Sequence, residues 1–332
     1  MSRIHIAARD NGAGLSRDLR ILAGALGDAG FDVTVSAIGQ GGPRRQLRHL
    51  QLRARLALER WRGGAARGRF DVNIMLERVW RKYPPLAWRN ALVPNPEWFK
   101  PEYAPYFGAV DRVFAKTRHA AAIFEALGRR SDYVGFTSSD RLLAAVPREA
   151  SFFHLAGRSG NKGTQPLLDA WLRHPQWPML TIVQREKLPS PLPGAANLRY
   201  VTRYLPDAEL RQLQNRHLFH LCPSETEGFG HHLVEATSVG AIVLTTDAPP
   251  MNELIRPDRG LLVPYSHTGT QRLATTYFVD SGALENGVER LLALDAGERK
   301  ALSERARAWY ESNDADFRRR LVAAVDDLAR TG

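Results

Sequence analysis

Cysteine is nearly absent, with Cys222 the single example in 332 residues. That excludes an intrachain disulfide framework and a cysteine-built zinc site. The lone thiol closes the apolar run 218–222 and reads as a small buried residue of a core strand. Long hydrophobic runs are missing too, since none approaches the roughly 20 residues that span a bilayer. No signal-peptide pattern precedes Arg3-Ile4-His5-Ile6-Ala7-Ala8, so a cytoplasmic protein is expected. Acidic residues are scarce in one half only. Residues 1–150 hold 25 Lys+Arg against 14 Asp+Glu, and the remainder is balanced at 21 of each, so the whole +11 excess belongs to the first half. The length itself suggests two domains.

The excess is densest between Arg44 and Arg69, where nine arginines are opposed by Glu59 alone. Leu47, Leu50, Leu52, Leu56, Leu58 and Trp61 are interleaved with them, as in a basic amphipathic helix. Such a surface suits an anionic membrane, a phosphate-bearing partner or nucleic acid, or it is a solvated face. No nucleic-acid module or aromatic-basic repeat is recognisable, and no nucleic acid is expected as a partner.

Residues 4–8 read as a buried strand, 16–29 as a helix and 32–38 as the next strand, a unit expected in a parallel sheet. The intervening turn carries Gly12 and Gly14. A dinucleotide fingerprint fails there, because Arg17 stands in place of the third glycine and no acidic residue follows the second strand. The strand 72–77 ends in Glu77, and 91–99 reads as a strand running into a proline-fixed loop with Asn95 and Glu97. Ligands of open parallel sheets lie beyond the carboxyl ends of strands, so these three are candidate ligand residues or, equally, turn and cap residues. A strand at 112–115, a helix capped by Thr117 and a strand at 132–135 close the half. The stretch 138–149 has few strand signals, which sets the expected domains at 1–148 and 149–332.

In the second half the strand 152–156 leads into Gly157-Arg158-Ser159-Gly160-Asn161-Lys162-Gly163. Arg and Lys four apart on a glycine turn can aim two cations at one diphosphate. After the strand 218–222 comes Pro223-Ser224-Glu225-Thr226-Glu227-Gly228-Phe229-Gly230, with a helix beginning near Gly230. Glycines on a strand-to-helix turn let backbone N–H groups approach an anion, and the helix N-terminus adds partial positive charge. Glu227 lies on the turn and Glu235 about five residues into the helix, roughly 7 Å further along. Two carboxylates at two depths can hold hydroxyls on either side of a diphosphate.

Glu227 and Glu235 with seven residues between them, together with the Gly-Arg-x-x-x-Lys-Gly turn, resemble the signature of retaining GT-B glycosyltransferases of family 4, the glycosyl transferases group 1. The resemblance implies an α/β chain of two Rossmann-like domains with parallel sheets facing a central cleft, the last helix returning to the first domain. It implies an enzyme that moves a sugar from a nucleotide-sugar donor to a glycan or lipid-linked acceptor of a bacterial surface. Glu227 would contact the donor sugar, Arg158 and Lys162 the diphosphate and Glu235 the ribose. Gly228, Phe229 and Gly230 would offer backbone amides, Gly12 and Gly14 would form the facing glycine loop, and Glu253 aligns with a family glutamate near the donor. Glu77, Asn95 and Glu97 fall on the acceptor side, and the segment 44–69 would meet an anionic membrane at its inner face. The chain departs from the family where Gln184-Arg185-Glu186-Lys187 and Ala248-Pro249-Pro250 replace glycines.

No cofactor and no metal is expected. The end, 297–329, is helical by pattern, with Phe317, Leu321, Val325 and Leu328 at helical spacing, and Asp314-Ala315-Asp316 reads as the cap of a C-terminal helix rather than a metal motif. His231 and His232 would point about 100° apart on a helix, a poor grip for one ion. A catalytically silent GT-B binding protein and a basic nucleic-acid-binding protein stay open as alternatives.

Overall fold

The computed structural model describes residues 2–10, 12, 14–39, 54, 68–186, 188, 192 and 194–331. The arginine-rich stretch therefore lies outside the described residues except for Ala54, Gly68 and Arg69. Two compact units divide the chain, Met1–Phe136 with Asp314–Gly332, and Thr137–Asn313.

The first unit contains β1 (Arg3–Asp10), α1 (Gly14–Asp28), β2 (Asp32–Gly39), β3 (Phe70–Leu76), β4 (Ala87–Val93), β5 (Arg112–Ala115), α2 (Arg118–Ala126) and β6 (Ser131–Tyr133). Among the described residues its strands form one parallel sheet in the order β2-β1-β3-β4-β5-β6. Ile4, Ile6, Val72, Ile74 and Leu76 are fully buried, as both faces of a parallel sheet require. A chain of polar side chains crosses four of these strands. His5 bonds Ser36 Oγ at 2.9 Å and Asn73 Oδ1 at 2.7 Å, and Asn73 donates to Asn90 Oδ1 at 2.8 Å. A slip of one residue would bury these groups unpaired, so the ladder specifies register where apolar packing alone would not.

The second unit contains β7 (Glu149–Gly157), α3 (Thr164–Arg173), β8 (Leu180–Gln184), β9 (Leu198–Val201), α4 (Asp207–Arg216), β10 (His217–Cys222), α5 (His231–Ser238), β11 (Ile242–Thr246), α6 (Met251–Leu254), β12 (Gly260–Val263), β13 (Tyr265–Gln271), β14 (Ala274–Val279) and α7 (Ser281–Ala293). Its parallel sheet runs β12-β11-β10-β7-β8-β9. The chain builds outward from β7 on one side, then returns to start again at β10. β7 and β10 are thus neighbours at the point where strand order reverses, which is where open α/β sheets bind ligands. Phe152, Trp171, Phe219 and Leu244 anchor the core beneath.

Three features differ from expectation. The junction falls at Phe136/Thr137, because Arg141 Nε bonds Gln214 Oε1 and Leu143 N bonds Asn215 Oδ1, each at 2.8 Å, tying 137–148 to the second unit. The last helix, α8, has the span its pattern implies, Ala296 to Arg330, and it runs through Asp314 without a new start there. Asp314 and Asp316 are therefore not caps but mid-helix partners, Asp314 of Arg318 at 2.9 Å and Asp316 of Arg319 at 2.7 Å. From Asp314 onward α8 belongs to the first unit, where Phe317, Leu321, Val325 and Leu328 are buried and Phe317 meets Phe136 at 5.0 Å. Thirdly, β13 and β14 form an antiparallel hairpin with no counterpart in the sequence reading.

The sheet of the second unit buries histidines as neutral groups. Burial lowers His154 to about 4, His217 to about 4 and His220 to about 3. In the unfolded chain they titrate near 6.5. The unfolded state therefore binds more protons between these values, and stability falls as pH drops through that window. The melting temperature should hold above about pH 6.5 and decline steadily toward pH 4. A thermal-melt series should show a shallower decline for His217→Asn, and a flat profile in the parent would contradict the assignment.

Candidate active site

At the reversal point the loop after β7 and the loop after β10 touch. Gly163, in the left-handed region at φ 67°, ends the first loop, and a Cβ there would lie 2.2 Å from the carbonyl oxygen of Pro223. Only glycine permits that approach. Glu225 N then donates to Asn161 O at 3.0 Å. Gly163 and Gly230, the latter at φ 101°, are also the residues from which α3 and α5 start, and neither has a side chain with which to cap its helix. Thr245 and Thr246 hydroxyls donate to the carbonyls of Cys222 and Ser224, at 2.7 and 2.9 Å, and fasten the second loop to β11.

This contact brings Lys162 and Glu227 together. The ammonium bonds Glu227 Oε1 directly, and both side chains are mostly buried, at 15% and 11% exposure. Lys162 also lies 3.4 Å from His232 Nδ1, and His232 Nε2 is 3.1 Å from Ser224 Oγ. Burial first, then the Lys162 charge, hold His232 well below its ordinary pKa. Its Nδ1 is thus the acceptor of the ammonium and Nε2 the donor to Ser224. His154 likewise donates from Nδ1 to Leu221 O at 2.7 Å and accepts from Thr164 Oγ1 at 2.9 Å. Burial pushes the Cys222 thiol up to about 12, leaving it protonated. The ion pair is therefore walled by neutral polar groups.

The other expected donor residues take other partners. Arg158 is exposed and reaches Glu186 at 2.8 Å, a pairing that spans 28 positions. Glu235 is buried on α5, where its carboxylate accepts from Gln214 Nε2 at 2.9 Å and Ser138 Oγ at 3.3 Å. His231 also turns to Ser138 Oγ, at 3.1 Å, so the two adjacent histidines serve different partners. Phe229 is buried with its ring edge-on to His231 at 5.4 Å, and Gly228 precedes it on the loop. Glu253 is half-buried in the short α6, its N–H on Pro250 O at 3.0 Å. The unexpected hairpin braces both loops. Gln271 Oε1 accepts from Asn161 Nδ2 at 2.7 Å, and Tyr277 N donates to Glu225 O at 2.7 Å.

In the first unit the remaining candidates gather at the carboxyl edge of the sheet. Gly12, at φ 65°, donates its N–H to Ser16 Oγ at 2.8 Å, and Gly14 begins α1 in open space. Glu77 follows β3 in the left-handed region at φ 68°, a strained setting for a side chain of its size. Burial raises its pKa, against the opposing charges of Arg78, Lys116 and Arg9. Glu97 is buried in the turn Pro96–Trp98, and Asn95 Oδ1 accepts from Lys116 Nζ at 2.9 Å. Lys116 also pairs with Asp18, both only 3% exposed. Neither was anticipated. The signal was a lysine directly after the apolar strand Val113-Phe114-Ala115, and Asp18 on a helix face otherwise apolar.

The two six-stranded parallel sheets, each with a reversal of strand order, define the class of fold: it is the GT-B fold. Residues 196–309 match the family described as glycosyl transferases group 1. Similar solved structures include sucrose-phosphate synthase from Thermosynechococcus elongatus, at 14% identity and TM-score 0.71 over 100% of both chains. HepE of Anabaena in complex with UDP-glucose is similar at 15% identity and TM-score 0.70, over 99% of this chain and 100% of that one. WaaG, a glycosyltransferase involved in lipopolysaccharide biosynthesis, is similar at 14% identity and TM-score 0.59, over 98% and 99%. No curated protein matches the sequence. Among the described residues no helix is long and apolar enough to cross a membrane.

Gly163→Ala should cost far more than the about 1–2 kcal/mol of a left-handed alanine, because the methyl group meets backbone. Gly157→Ala, at φ 61° with nothing within 4 Å, should cost only that penalty. Equal melting-temperature losses in the two variants would mean the loops do not depend on this contact.

Proposed function

We propose that the chain is a retaining, metal-independent glycosyltransferase that moves a sugar from a nucleoside-diphosphate sugar to a bacterial surface-glycan or lipid-linked acceptor, and works in the cytoplasm at the inner face of the membrane. The observation that carries the reading is the Lys162–Glu227 pair at the reversal point, flanked by the glycine starts of α3 and α5. The similarity to a UDP-glucose complex and to a lipopolysaccharide glycosyltransferase supports the donor and acceptor classes.

A diphosphate entering between the loops offers Lys162 a second anion, and helix N-termini add backbone N–H donors to it. Glu227, partly relieved of its counter-ion, turns to the sugar hydroxyls and stabilises positive charge at the anomeric carbon. The bond from that carbon to the phosphate oxygen breaks. The acceptor oxygen bonds to the same face while its proton passes to the departing phosphate, which retains configuration. Arg158, exposed on its loop, can leave Glu186 for the diphosphate, since a surface pair of this kind is worth at most about 1 kcal/mol. Charge on the leaving group is met electrostatically. Glu235 would hold the ribose and Glu253 the sugar side, while Glu77, Asn95 and Glu97 would serve the acceptor.

Lys162→Ala and Glu227→Gln should each lower donor turnover by at least about 100-fold, as loss of one preorganised stabiliser does. A nucleotide-sugar hydrolysis assay, run with and without EDTA, measures this. Unchanged turnover in either variant, or strict dependence on an added divalent cation, would reject the mechanism.

A further inference from the structure

The first unit contains a cavity of about 490 Å³, a size that suits a small ligand. It opens just beyond β3, and Arg78, Trp80, Arg81, Lys82, Tyr103 and Tyr106 are on its wall. Three cations line it, against the carboxylate of Glu102 on the wall and that of Glu77 beside Arg78. Arg78, Arg81 and Lys82 make no ion pair among the described residues, and Arg78 Nε is buried with no hydrogen-bond partner. Glu102, a carboxylate on the same wall, is 3.3 Å from Lys100 instead. Aromatic rings hold the guanidinium groups in place. Arg78 lies 4.0 Å from the Trp80 ring centroid and Arg81 lies 4.4 Å from that of Tyr106. A stacked guanidinium keeps its N–H edge available for bidentate bonding to an oxyanion.

Like charges gathered around a concave surface repel one another unless an anion completes them. Aromatic walls beside the cations ask for a ligand that also has an apolar or ring face. We propose that this cavity binds a phosphate-bearing sugar, the phosphate meeting Arg78, Arg81 and Lys82 and the ring lying against the aromatic side. A phosphate monoester has a charge near −2 at pH 7, and three unpaired cations suit it better than they suit a single carboxylate. The inference rests on the glycosyltransferase reading to make this sugar the acceptor or part of it. Glu77, the residue before Arg78, is the nearest expected acceptor-side group in the chain.

Isothermal titration calorimetry on the full chain tests it, with glucose 6-phosphate, glucose and inorganic phosphate as probes. Glucose 6-phosphate should bind at least tenfold tighter than either of the others. Arg81 and Lys82 are exposed, so the double variant Arg81→Gln, Lys82→Gln should keep its fold and its thermal shift with UDP, yet bind glucose 6-phosphate at least tenfold more weakly. Phosphatidylglycerol vesicles separate the sources of phosphate. Competition by vesicles, lost in the double variant, supports a lipid-borne phosphate, and its absence supports a soluble one. Equal binding of glucose and glucose 6-phosphate, equal binding of inorganic phosphate, or an unaltered double variant would overturn the proposal. If the parent binds no sugar phosphate but still hydrolyses a nucleotide sugar, this inference fails and the function stands. If donor hydrolysis is absent while sugar phosphate binds, the function fails and the cavity stands.

Discussion

The approach of Pro223's carbonyl to Gly163 is the constraint on which the chemistry of the second unit depends. β7 and β10 are adjacent in the sheet, although 59 residues lie between Gly157 and His217, because the strand order restarts at β10. Adjacency of strands does not by itself bring their loops into contact. A missing side chain at 163 does, and the bond from Glu225 N to Asn161 O follows. Lys162 follows Asn161 on the first loop and reaches Glu227 on the second. A buried ion pair stabilises only where further hydrogen bonds offset desolvation, and breaking one partner's contact is costly. His232 and Ser224 continue the network, which is why the pair tolerates burial.

Neutrality around that pair matters as much as the pair itself. His154 and His232 are kept uncharged by burial and by the Lys162 charge, and Cys222 stays a thiol. A cation in such surroundings acts through a lower effective dielectric than one in water, so its attraction for a phosphate is several-fold stronger. Arg158 has the opposite character. It is 62% exposed, its partner Glu186 is 49% exposed, and its long side chain is free to change partners. One cation is thus fixed before any ligand arrives and the other is recruited by it.

Much of this was legible in the sequence because local signals and tertiary structure agree. The strands at 112–115 and 218–222 match their observed ends to within one residue, since continuous apolar runs bounded by polar turns have one reading. The Lys162–Glu227 loops were legible through their glycines. What escaped were partners chosen across the fold. Nothing near Glu235 in sequence announces Gln214 or Ser138, and nothing near Arg158 announces Glu186. The hairpin was missed because 265–271 is exposed and has no apolar alternation, and only the register with 274–279 makes it a strand. Its turn is also atypical, since Arg272 at φ 59° stands where glycine or asparagine is the usual signal. Asp314 and Asp316 misled for a related reason. Acidic residues before an apolar stripe mark a helix start, unless the helix has begun eighteen residues earlier, at Ala296.

Both units have a reversal of strand order, yet the two edges are built for different tasks. In the second unit, glycine starts at α3 and α5 leave helix N-termini uncapped beside a buried cation. In the first, the Gly12 N–H is already taken by Ser16 Oγ at the start of α1, and Lys116 is committed to Asp18 and Asn95. An anion at the start of α1 would find fewer unspent donors. What that edge offers instead is a strained, half-buried carboxyl at Glu77 with its proton affinity raised by burial, and the cations Arg78, Arg81 and Lys82 on the segment that follows. Because the backbone topology repeats while the side chains do not, the division of labour between the units must be argued from the charges each edge leaves unsatisfied.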